Sequence, residues 1–464
     1  MEYLFFKTKI KQKIRSAGMV VLCCSIYGCK TNDDATMPAA PTSISKTADK
    51  YGSEVATNWV EMDFKLIRAS AGFTPPVVAR ALGYTGLTMY EAAVPGMTGY
   101  RSLAGQLNGL ATLPQPDATK EYHWAEVVNA SQAEMARKIW ENMPATSKKT
   151  VDSLETAFET TYRKDAMMDV IDRSKAFGLA LATAIFEWSK KDGGHQGYLT
   201  NFPASYVVPV FPGAWQPTEN GKKIPMQPYW GKNRTFVVNN SILPAPAPLT
   251  ISTDVNSIYF KQYQDVYIKN KSLTQAEKEI AVWWADDPAD TFTPPGHSYN
   301  LTKIAIQTSG AKLDKAAEAI GRVGLGVNDS FITCWKCKYT FNNERPYTFV
   351  RRAIDPFWVP FWPAPPFPGY ISGHSTQSMA TAVLLTTVFG DKFAFTDNSH
   401  VNRIKDTKRN VEFKARTYTS FIEAAEESGY SRILGGIHTS QDNVLGLAEG
   451  KKIAANINAL RWKN

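Results

Sequence analysis

The spacing of apolar residues along most of this chain is that of amphipathic helices. Residues 55–97 contain WVEMDFKLIRA and VVARALGYTGLTMYEAAV, in which apolar residues recur three and four positions apart, as they do on one face of a helix. Thr74-Pro75-Pro76 interrupts this segment, because proline cannot continue a helix but fits its first turn. We therefore expect two helices here. The period-two alternation typical of strands is scarce along the chain.

The same spacing predicts further helices in both halves of the chain. They cover residues 120–141, 147–163 and 168–190, and then 299–322, 325–343, 374–390, 411–429 and 439–460. Another helix is expected in TQAEKEIAVWW, where Thr274 would cap the first turn and Glu277 would complete a capping box. The predicted fold class is all-α, with two packed helix bundles.

The helical pattern stops over about residues 193–255, which are rich in proline, glycine, asparagine and aromatic residues. This segment is too long and too aromatic to be a simple linker, so we expect a structured loop that crosses the surface over a site. The loop divides the folded body, residues 55–464, into an N-terminal bundle (about 55–192) and a C-terminal bundle (about 256–464) that carries the candidate active site.

The first 28 residues are typical of an export signal. Basic residues at positions 7–15 precede the apolar run MVVLCCSIYGC, which is too short to span a membrane as a mature helix. The run ends in Ile26-Tyr27-Gly28-Cys29, which is similar to a bacterial lipobox. We expect a signal peptide over residues 1–28, a lipid anchor at Cys29 and a flexible tether over 29–54, in a periplasmic or cell-surface protein. A plain secreted protein cut near residue 28 is the alternative.

Charge and cysteine content narrow the functional classes. The formal charge of +9 is mild for 464 residues, and the chain has no basic block of the kind that binds nucleic acid. Outside the signal, the cysteines are Cys334 and Cys337, in a Cys-x-x-Cys pair. Zinc would need two further ligands nearby, so we expect either two packed thiols or a local disulfide.

Three short stretches in the last third of the chain carry anion-binding side chains. In KYTFNNERP, Lys338 precedes Arg345 by seven residues, nearly two helical turns, which would place both side chains on one helix face. In FPGYISGHS, Ser372, Gly373 and His374 come where a loop is predicted to become a helix. Free N–H groups at a helix N-terminus bind anions.

The third stretch, SRILGGIHTSQD, contains Ser431, Arg432, His438 and Asp442. The four-residue spacing lets Asp442 orient the imidazole of His438, although Asp442 also suits the start of a helix. Taken singly, these stretches have ordinary explanations: a basic surface stripe, an N-cap serine and a core histidine. Together, three fixed cations, a Ser-Gly turn and two histidines suit a tetrahedral anion, or the trigonal bipyramid that it becomes when attacked.

In this order the three stretches resemble the signature of the vanadium-dependent haloperoxidases and type 2 phosphatidic acid phosphatases. That signature is K-x6-RP, then PSGH, then SR-x5-H-x3-D. The first and third parts match in full, and the second has Ile371 where proline is common. Trp335, Phe367 and the segments WWADDPADTFTPPGHSYN and VVARALGYTGLTMYEAAVPG resemble the haloperoxidase branch, and bacterial vanadium iodoperoxidases within it. The resemblance runs from about residue 55 to the end.

The resemblance implies roles for individual residues. His438 would bind the vanadium of a vanadate cofactor, His374 would be the acid–base group, and Lys338 would also polarise peroxide. The vanadate oxygens would be held by Lys338, Arg345, Ser372, Gly373 and Arg432. Trp335 and Phe367 would shape the halide side, Asp287 or its neighbour Asp286 would pair with Arg432, and Asp442 would support His438.

The activity implied is oxidation of a halide by hydrogen peroxide to hypohalous acid. Iodide is favoured, bromide is the other halide considered, and the organic acceptor is not indicated. Two alternatives stay open. In a metal-free phosphatase, His438 would attack a phosphate ester to form a phospho-histidine, and His374 would protonate the leaving group. In a non-catalytic surface lipoprotein, the same pocket would bind a ligand only.

Overall fold

Helices make up most of the protein. The structure, a computed structural model, describes residues 44–218, 223–288 and 290–464. The predicted signal peptide, Cys29 and most of the predicted tether lie outside these residues. Among the helices of the described ranges, none is long and apolar enough to cross a membrane.

Within residues 44–218, five α-helices form the N-terminal half, close to the predicted bounds. They are α1 (Glu54–Ala69), α2 (Pro75–Ala93), α3 (Trp124–Ile139), α4 (Ala145–Tyr162) and α5 (Met168–Ser189). The break at Thr74 is confirmed, since α2 begins at Pro75. The packed chain starts earlier than residue 55, however. Ala48 and Tyr51 are buried, and the Tyr51 ring meets His123 edge-on at 4.6 Å.

Within residues 223–288 and 290–464, nine α-helices and one small sheet follow. The helices are α6 (Val238–Ser241), α7 (Ile258–Lys271), α8 (Gln275–Trp283), α9 (Thr293–Ser309), α10 (Leu313–Phe341), α11 (Pro346–Ala353), α12 (Gly373–Phe389), α13 (Phe421–Leu434) and α14 (Ser440–Asn458). The strands β1 (Phe395–Asp397) and β2 (Arg416–Tyr418) pair antiparallel. The capping box of Thr274 and Glu277 at the start of α8 is present as predicted.

Two predicted boundaries in this half are wrong. The helices predicted at 299–322 and 325–343 are divided instead at Gly310, whose φ of +62° closes α9, because glycine adopts this left-handed conformation without strain. The helix predicted over 411–429 begins ten residues later, at Phe421. The preceding residues form β2, and the Ser420 hydroxyl caps the new helix by accepting from Glu423 N at 3.2 Å.

Glycines in both α2 and α10 allow close backbone contact between these two helices. A Cβ at Gly86 would lie 2.8 Å from Ile320 O, and one at Gly324 would lie 3.0 Å from Leu82 O. Leu82 and Val323 belong to one continuous buried cluster that draws residues from both halves of the chain. The two predicted bundles therefore share a core, and α10 is held along the side that leads to the candidate site.

Close packing also sets the positions of α12 and α14. A Cβ at Gly446 would lie 2.9 Å from Ser372 O, and one at Gly450 would lie 2.3 Å from Thr376 O. In addition, Ser372 N donates to Asp442 O at 3.0 Å. These contacts join the start of α12 to the start of α14, so the second and third sequence stretches meet at one end of the bundle.

Candidate active site

Lys338 and Arg345 lie on different elements, so the prediction that they share one helix face is wrong. Helix α10 ends at Phe341, Asn342 takes a left-handed φ of 49°, and Arg345 is the N-cap of α11. Pro346 has no N–H to extend α10 and fits the first position of α11. The turn between the helices still brings both cations to the same aromatic ring, that of Phe367. The Nζ of Lys338 and the Cζ of Arg345 lie 5.2 Å and 5.0 Å from its centre.

The ammonium of Lys338 is fully buried and caged by carbonyls. It donates to Pro368 O and Gly369 O, both at 2.9 Å, and to Ile371 O at 2.6 Å. An ammonium has three N–H donors, so all of them are engaged. Burial lowers the pKa of Lys338 to about 8. Lys338 therefore fixes the loop before α12, and contributes positive charge at the site rather than a free donor.

Arg345 is also fully buried, but one of its donors is free. Its Nε donates to Phe367 O at 3.0 Å, and its Nη1 donates to Ile437 O at 2.8 Å and to Nε2 of His438 at 3.0 Å. Its Nη2 has no hydrogen-bond partner in the part of the chain that the structure describes. Burial lowers the pKa of Arg345 to about 10, which leaves the guanidinium charged at neutral pH.

The second stretch forms the start of α12, as predicted. The Ser372 hydroxyl caps the helix by accepting from Ser375 N at 3.3 Å. Gly373 is the first helical residue, and a Cβ there would lie 3.6 Å from the Trp335 ring. The first N–H groups of a helix have no acceptor within it, so the backbone of Gly373 and His374 offers donors where an anion would be favoured.

A backbone carbonyl holds two of the predicted site residues. Trp284 O accepts from Nε2 of His374 at 2.8 Å and from Nη1 of Arg432 at 3.2 Å. Nε of Arg432 has no partner among the described residues. Burial lowers the pKa of Arg432 to about 10, while the carboxylates of Asp287 and Asp286 act in the opposite direction. Burial, reinforced by the charge of Arg432, lowers the pKa of His374 well below its usual value.

His438 is oriented by Asp442, and Asp442 is also a helix-start carboxylate. Nδ1 of His438 lies 2.9 Å from Oδ2 of Asp442, and the same oxygen accepts from Thr439 N at 3.1 Å in a capping box. Nδ1 therefore carries the proton, and Nε2 presents a lone pair toward Arg345. Burial and the charges of Arg345, Lys338 and Arg432 hold the pKa of His438 well below its usual value, so the ring is neutral.

An inner cavity of about 50 Å³ at this site shares six lining residues with an outer cavity of about 320 Å³. His374, Arg432, Phe367, Pro75, Pro294 and Pro365 line both. Gly373, His438, Trp335 and Phe331 belong to the inner cavity, and Met226, Asp287 and several prolines belong to the outer one. The outer cavity is thus the approach to the inner one.

The aromatic loop reaches the site. Met226 N donates to Pro366 O at 2.8 Å, while Met226 O accepts from Nε1 of Trp335 at 3.3 Å and from the Tyr339 hydroxyl at 2.6 Å. The rings of Trp335 and Phe367 are 5.0 Å apart, tilted by 45°. One wall of the inner cavity is therefore apolar and fixed in position.

The donor set fits a tetrahedral oxyanion such as vanadate. Three buried cations have no carboxylate in salt-bridge contact among the described residues, and two guanidinium donors, Arg345 Nη2 and Arg432 Nε, are unsatisfied. Buried charges are costly unless they are paired. A multiply charged anion between the start of α12 and Nε2 of His438 would satisfy these donors.

Comparison with known proteins finds similarity to vanadium-dependent haloperoxidases. Residues 320–461 match the family model of the VCPO second helical-bundle domain. The vanadium chloroperoxidase of Curvularia inaequalis is 25% identical over 210 residues, 37% of this chain and 34% of that protein. The alignment thus spans about a third of that curated relative. The crystal structure of the first bacterial vanadium-dependent iodoperoxidase is 29% identical, with a TM-score of 0.78 over 89% of this chain and 98% of the other. In its C-terminal helical-bundle domain and in its fold, the chain is similar to the vanadium-dependent haloperoxidases.

A holo bacterial vanadium-dependent chloroperoxidase shares the haloperoxidase fold. It matches with a TM-score of 0.66 over 85% of this chain and 93% of the other, at 14% identity. At this level of identity the likeness concerns the fold alone. The predicted all-α architecture of the haloperoxidase type is confirmed.

The structure supports the predicted pairing of Arg432 with an aspartate only in part. Asp287 attracts Arg432 electrostatically and lies at the outer cavity. Asp286, the alternative partner, is directed elsewhere, since its two carboxylate oxygens contact Nδ1 of His297 at 2.8 Å and Nε2 of His400 at 2.9 Å. Within the described ranges, neither aspartate forms an ion pair with Arg432 at contact distance.

The cysteines are buried free thiols, so packed thiols are confirmed and the local disulfide is not formed. Sγ of Cys334 lies 3.5 Å from Ile371 O, and burial raises the pKa of both Cys334 and Cys337. These thiols pack against the base of the candidate site and are not ionised at neutral pH.

The sequence analysis missed the residues behind His374. Trp284 acts through its carbonyl, which no side-chain pattern reveals. His297 and His400 lie far from the three stretches in sequence, and Asp397 lies on a short strand that was not predicted. The pair Asp286-Asp287 stands out in the sequence, but nothing in its spacing indicates that one of the two contacts histidines.

Proposed function

We propose that this protein is a vanadate-dependent haloperoxidase that uses hydrogen peroxide to oxidise a halide to hypohalous acid, with iodide preferred over bromide. One observation carries the proposal. Two unsatisfied guanidinium donors, Arg345 Nη2 and Arg432 Nε, accompany the neutral His438. Its Nδ1–H is bound to Asp442, so Nε2 keeps a lone pair, which accepts from Arg345 Nη1 in this structure. This combination suits an oxyanion whose central atom accepts a nitrogen ligand.

The residues that would hold vanadate are one vanadium ligand and a set of hydrogen-bond donors to its oxygens. His438 would be the ligand through Nε2, with its ring kept in place by Asp442. Arg345 and Arg432 would donate to oxygens, as would the hydroxyl of Ser372 and the N–H of Gly373. Bound vanadate would supply the Lewis acid that activates peroxide toward a halide. Lys338 would add charge from its carbonyl cage.

His374 is suited to moving a proton at this site. Its Nε2–H is held by Trp284 O at 2.8 Å, which leaves Nδ1 as the nitrogen that can accept. The pKa of the ring is lowered by burial and by Arg432, so the ring is neutral before reaction. A neutral imidazole can take a proton from peroxide as it binds and return it to the leaving oxygen.

The halide side is apolar. Trp335, Phe367 and Phe331 line the inner cavity, and such a wall excludes water and favours a large, weakly hydrated anion. This character supports iodide as the substrate, as does the likeness to a structure described as an iodoperoxidase. The organic acceptor that would receive the oxidised halogen is left unassigned.

Reconstitution with orthovanadate tests the proposal. The purified chain is loaded with vanadate, and peroxide-dependent oxidation of iodide, bromide and chloride is followed at equal halide concentration. We expect turnover that requires vanadate and is fastest with iodide. His438→Ala should abolish it, whereas His195→Ala, a partly exposed histidine that lines a separate cavity, should not. Equal rates with and without vanadate would refute the proposal.

His438 and Asp442 also support a phosphatase as the second candidate function. A neutral His438 whose Nδ1–H is bound to Asp442 could attack a phosphate ester through Nε2. Hydrolysis of p-nitrophenyl phosphate by the vanadate-free chain, inhibited by vanadate and abolished in His438→Ala, would favour this activity. We expect no such hydrolysis above that of the variant.

We further propose that the protein is exported and anchored through a lipid at Cys29. Palmitate labelling of the full chain in a bacterial host, lost in Cys29→Ala, tests the anchor. Labelling that persists in the variant would contradict it. Export without labelling would favour the plain secreted form cut near residue 28.

A further inference from the structure

A buried polar network lies behind His374 and has no part in the function proposed above. Its centre is His297 on α9, whose Nδ1 lies 2.8 Å from Oδ2 of Asp286 and whose Nε2 lies 2.9 Å from Oδ2 of Asp397. The other oxygen of Asp286 lies 2.9 Å from Nε2 of His400. These four residues are at most 1% exposed and come from a loop, a helix and the end of a strand.

The geometry fixes the protonation of His297. Each ring nitrogen faces a carboxylate oxygen, and a carboxylate can only accept, so each nitrogen carries a proton and the ring is an imidazolium. Burial opposes this charge, but the attraction of Asp286 and Asp397 outweighs it and raises the pKa of His297 to about 10. Asp397 is fixed in turn by Nε1 of Trp283 at 2.8 Å and by Ser399 N at 2.9 Å.

The network is joined to the site through Trp284. The imidazolium of His297 stacks on the Trp284 ring with centroids 4.4 Å apart and planes 20° apart, and a cation over an indole face is attracted to it. The indole Nε1 donates to Glu427 at 2.9 Å. The carbonyl of Trp284 accepts from both His374 and Arg432. The ring of Trp284 therefore contacts the buried network, while its backbone contacts two residues of the active site.

We propose that His297 is a positioning residue of this active site: through the Trp284 carbonyl it keeps the His374 proton on Nε2 and orients Arg432. The expected effect on kcat rests on the proposed function, but the tautomer of the His374 ring can be measured without vanadate or substrate.

A metal ion is the competing explanation of the cluster. Asp286, His297 and His400 are a ligand set that zinc accepts, and a metal would take the place of the proton on Nδ1 of His297.

Side-chain nitrogen NMR of the full-length protein, labelled with ¹⁵N-histidine, tests the proposal. The chain has six histidines, so single variants assign the signals. We expect two protonated nitrogens on His297 from pH 6 to 8 and a single Nε2–H tautomer on His374. In His297→Gln, the His374 signals should show a mixture of tautomers. The same change is expected in Trp284→Leu, because this variant removes the stacked ring but keeps the carbonyl.

His400→Gln is the matched control. It removes a hydrogen bond to the same aspartate, yet His400 does not stack on Trp284, so the His374 tautomer should stay unchanged. In the vanadate-loaded enzyme, His297→Gln should lower kcat by about 10- to 100-fold, as outer residues of metal sites do. KM for iodide should change by less than about threefold, because the apolar halide wall is untouched, while His400→Gln should leave kcat near wild type.

Three results would overturn the proposal. The first is an unchanged His374 tautomer in both His297→Gln and Trp284→Leu. The second is a wild-type His297 that carries a single ring proton at pH 7, which is measured on the native chain and does not depend on a variant folding. The third is zinc or another divalent metal retained at one ion per chain by wild-type protein and lost in His400→Gln. If vanadate loading gives no peroxidase activity while the NMR results hold, the proposed function fails and the positioning of His374 stands.

Discussion

Nδ1 of His438 and Oδ2 of Asp442 lie 2.9 Å apart, and the same oxygen accepts from the backbone N–H of Thr439. One carboxylate therefore orients the predicted vanadium ligand and caps the helix that follows it. These two tasks can be separated experimentally, because Thr439 takes part in the cap without touching the imidazole.

Asp442→Asn should weaken vanadate binding about 10- to 100-fold, since the ring of His438 would lose its fixed tautomer. Thr439→Ala, the matched control, should cost about 1 kcal/mol of unfolding free energy through the lost cap and leave vanadate affinity nearly unchanged. Calorimetric titration with vanadate and thermal unfolding measure the two effects. Equal losses of affinity in both variants would mean that Asp442 acts only through the helix.

Lys338→Met should destabilise the fold strongly. Three carbonyls accept from its ammonium, and each buried acceptor left unsatisfied costs about 1–3 kcal/mol. Lys336→Met is a suitable comparison, because Lys336 also donates to two carbonyls, Ser241 O and Leu243 O, but from a half-buried position. Denaturant unfolding should show a clearly larger loss for Lys338. A loss no greater than that of Lys336 would show that the carbonyl cage contributes little.

Phe367→His should change the preference among halides more than it changes vanadate affinity. The Phe367 ring faces Lys338 and Arg345 and packs on Trp335. A polar ring at this position therefore alters the apolar wall of the inner cavity. Phe331→His, on the same wall but without a cation contact in the described structure, is the control. The ratio of kcat/KM for iodide and bromide should shift in Phe367→His. A large loss of vanadate binding instead would show that the ring supports the oxyanion cradle.

Stability should fall as the pH rises from about 5 to 8 because of buried Glu126. Burial raises the pKa of this carboxyl to about 8, and its Oε1 has no hydrogen-bond partner among the described residues. The folded state thus holds a proton that the unfolded chain releases near pH 4.5. The stabilisation is fully present below pH 4.5, and it is lost as the pH rises through the pKa of the folded state, about 8. Each tenfold difference in proton affinity between the folded and unfolded states corresponds to at most about 1.4 kcal/mol of stability.

Glu126→Gln should flatten this dependence, and the variant should gain on the wild type progressively between pH 5 and 8. Glu121→Gln, at an exposed glutamate near the start of the same helix, should follow the wild-type curve. Chemical unfolding at several pH values measures the difference. Parallel curves for wild type and Glu126→Gln would show that Glu126 is not protonated in the fold.

The sequence was sufficient for most helices and for the cations of the site, because apolar spacing and the three stretches are local. It failed where distant residues decide the outcome. The helix predicted to end at residue 322 continues to Phe341, and Gly321, Gly324 and Gly326 are positions where α2 and α12 pack closely on it. Lys338 and Arg345 were expected on one helix, whereas Asn342 and Pro346 end one helix and begin another.

The Trp284 carbonyl has a consequence for how this site can change over evolutionary time. A main-chain oxygen is supplied by every amino acid, so its contacts with His374 and Arg432 place no direct demand on which residue occupies position 284. Selection would act instead on whatever holds the backbone in place: the stack of the Trp284 ring on His297 and the φ of 51° at Asp286, two positions further along the chain. A relative could therefore replace Trp284 and keep the geometry of the reacting centre only where another side chain holds the same backbone path.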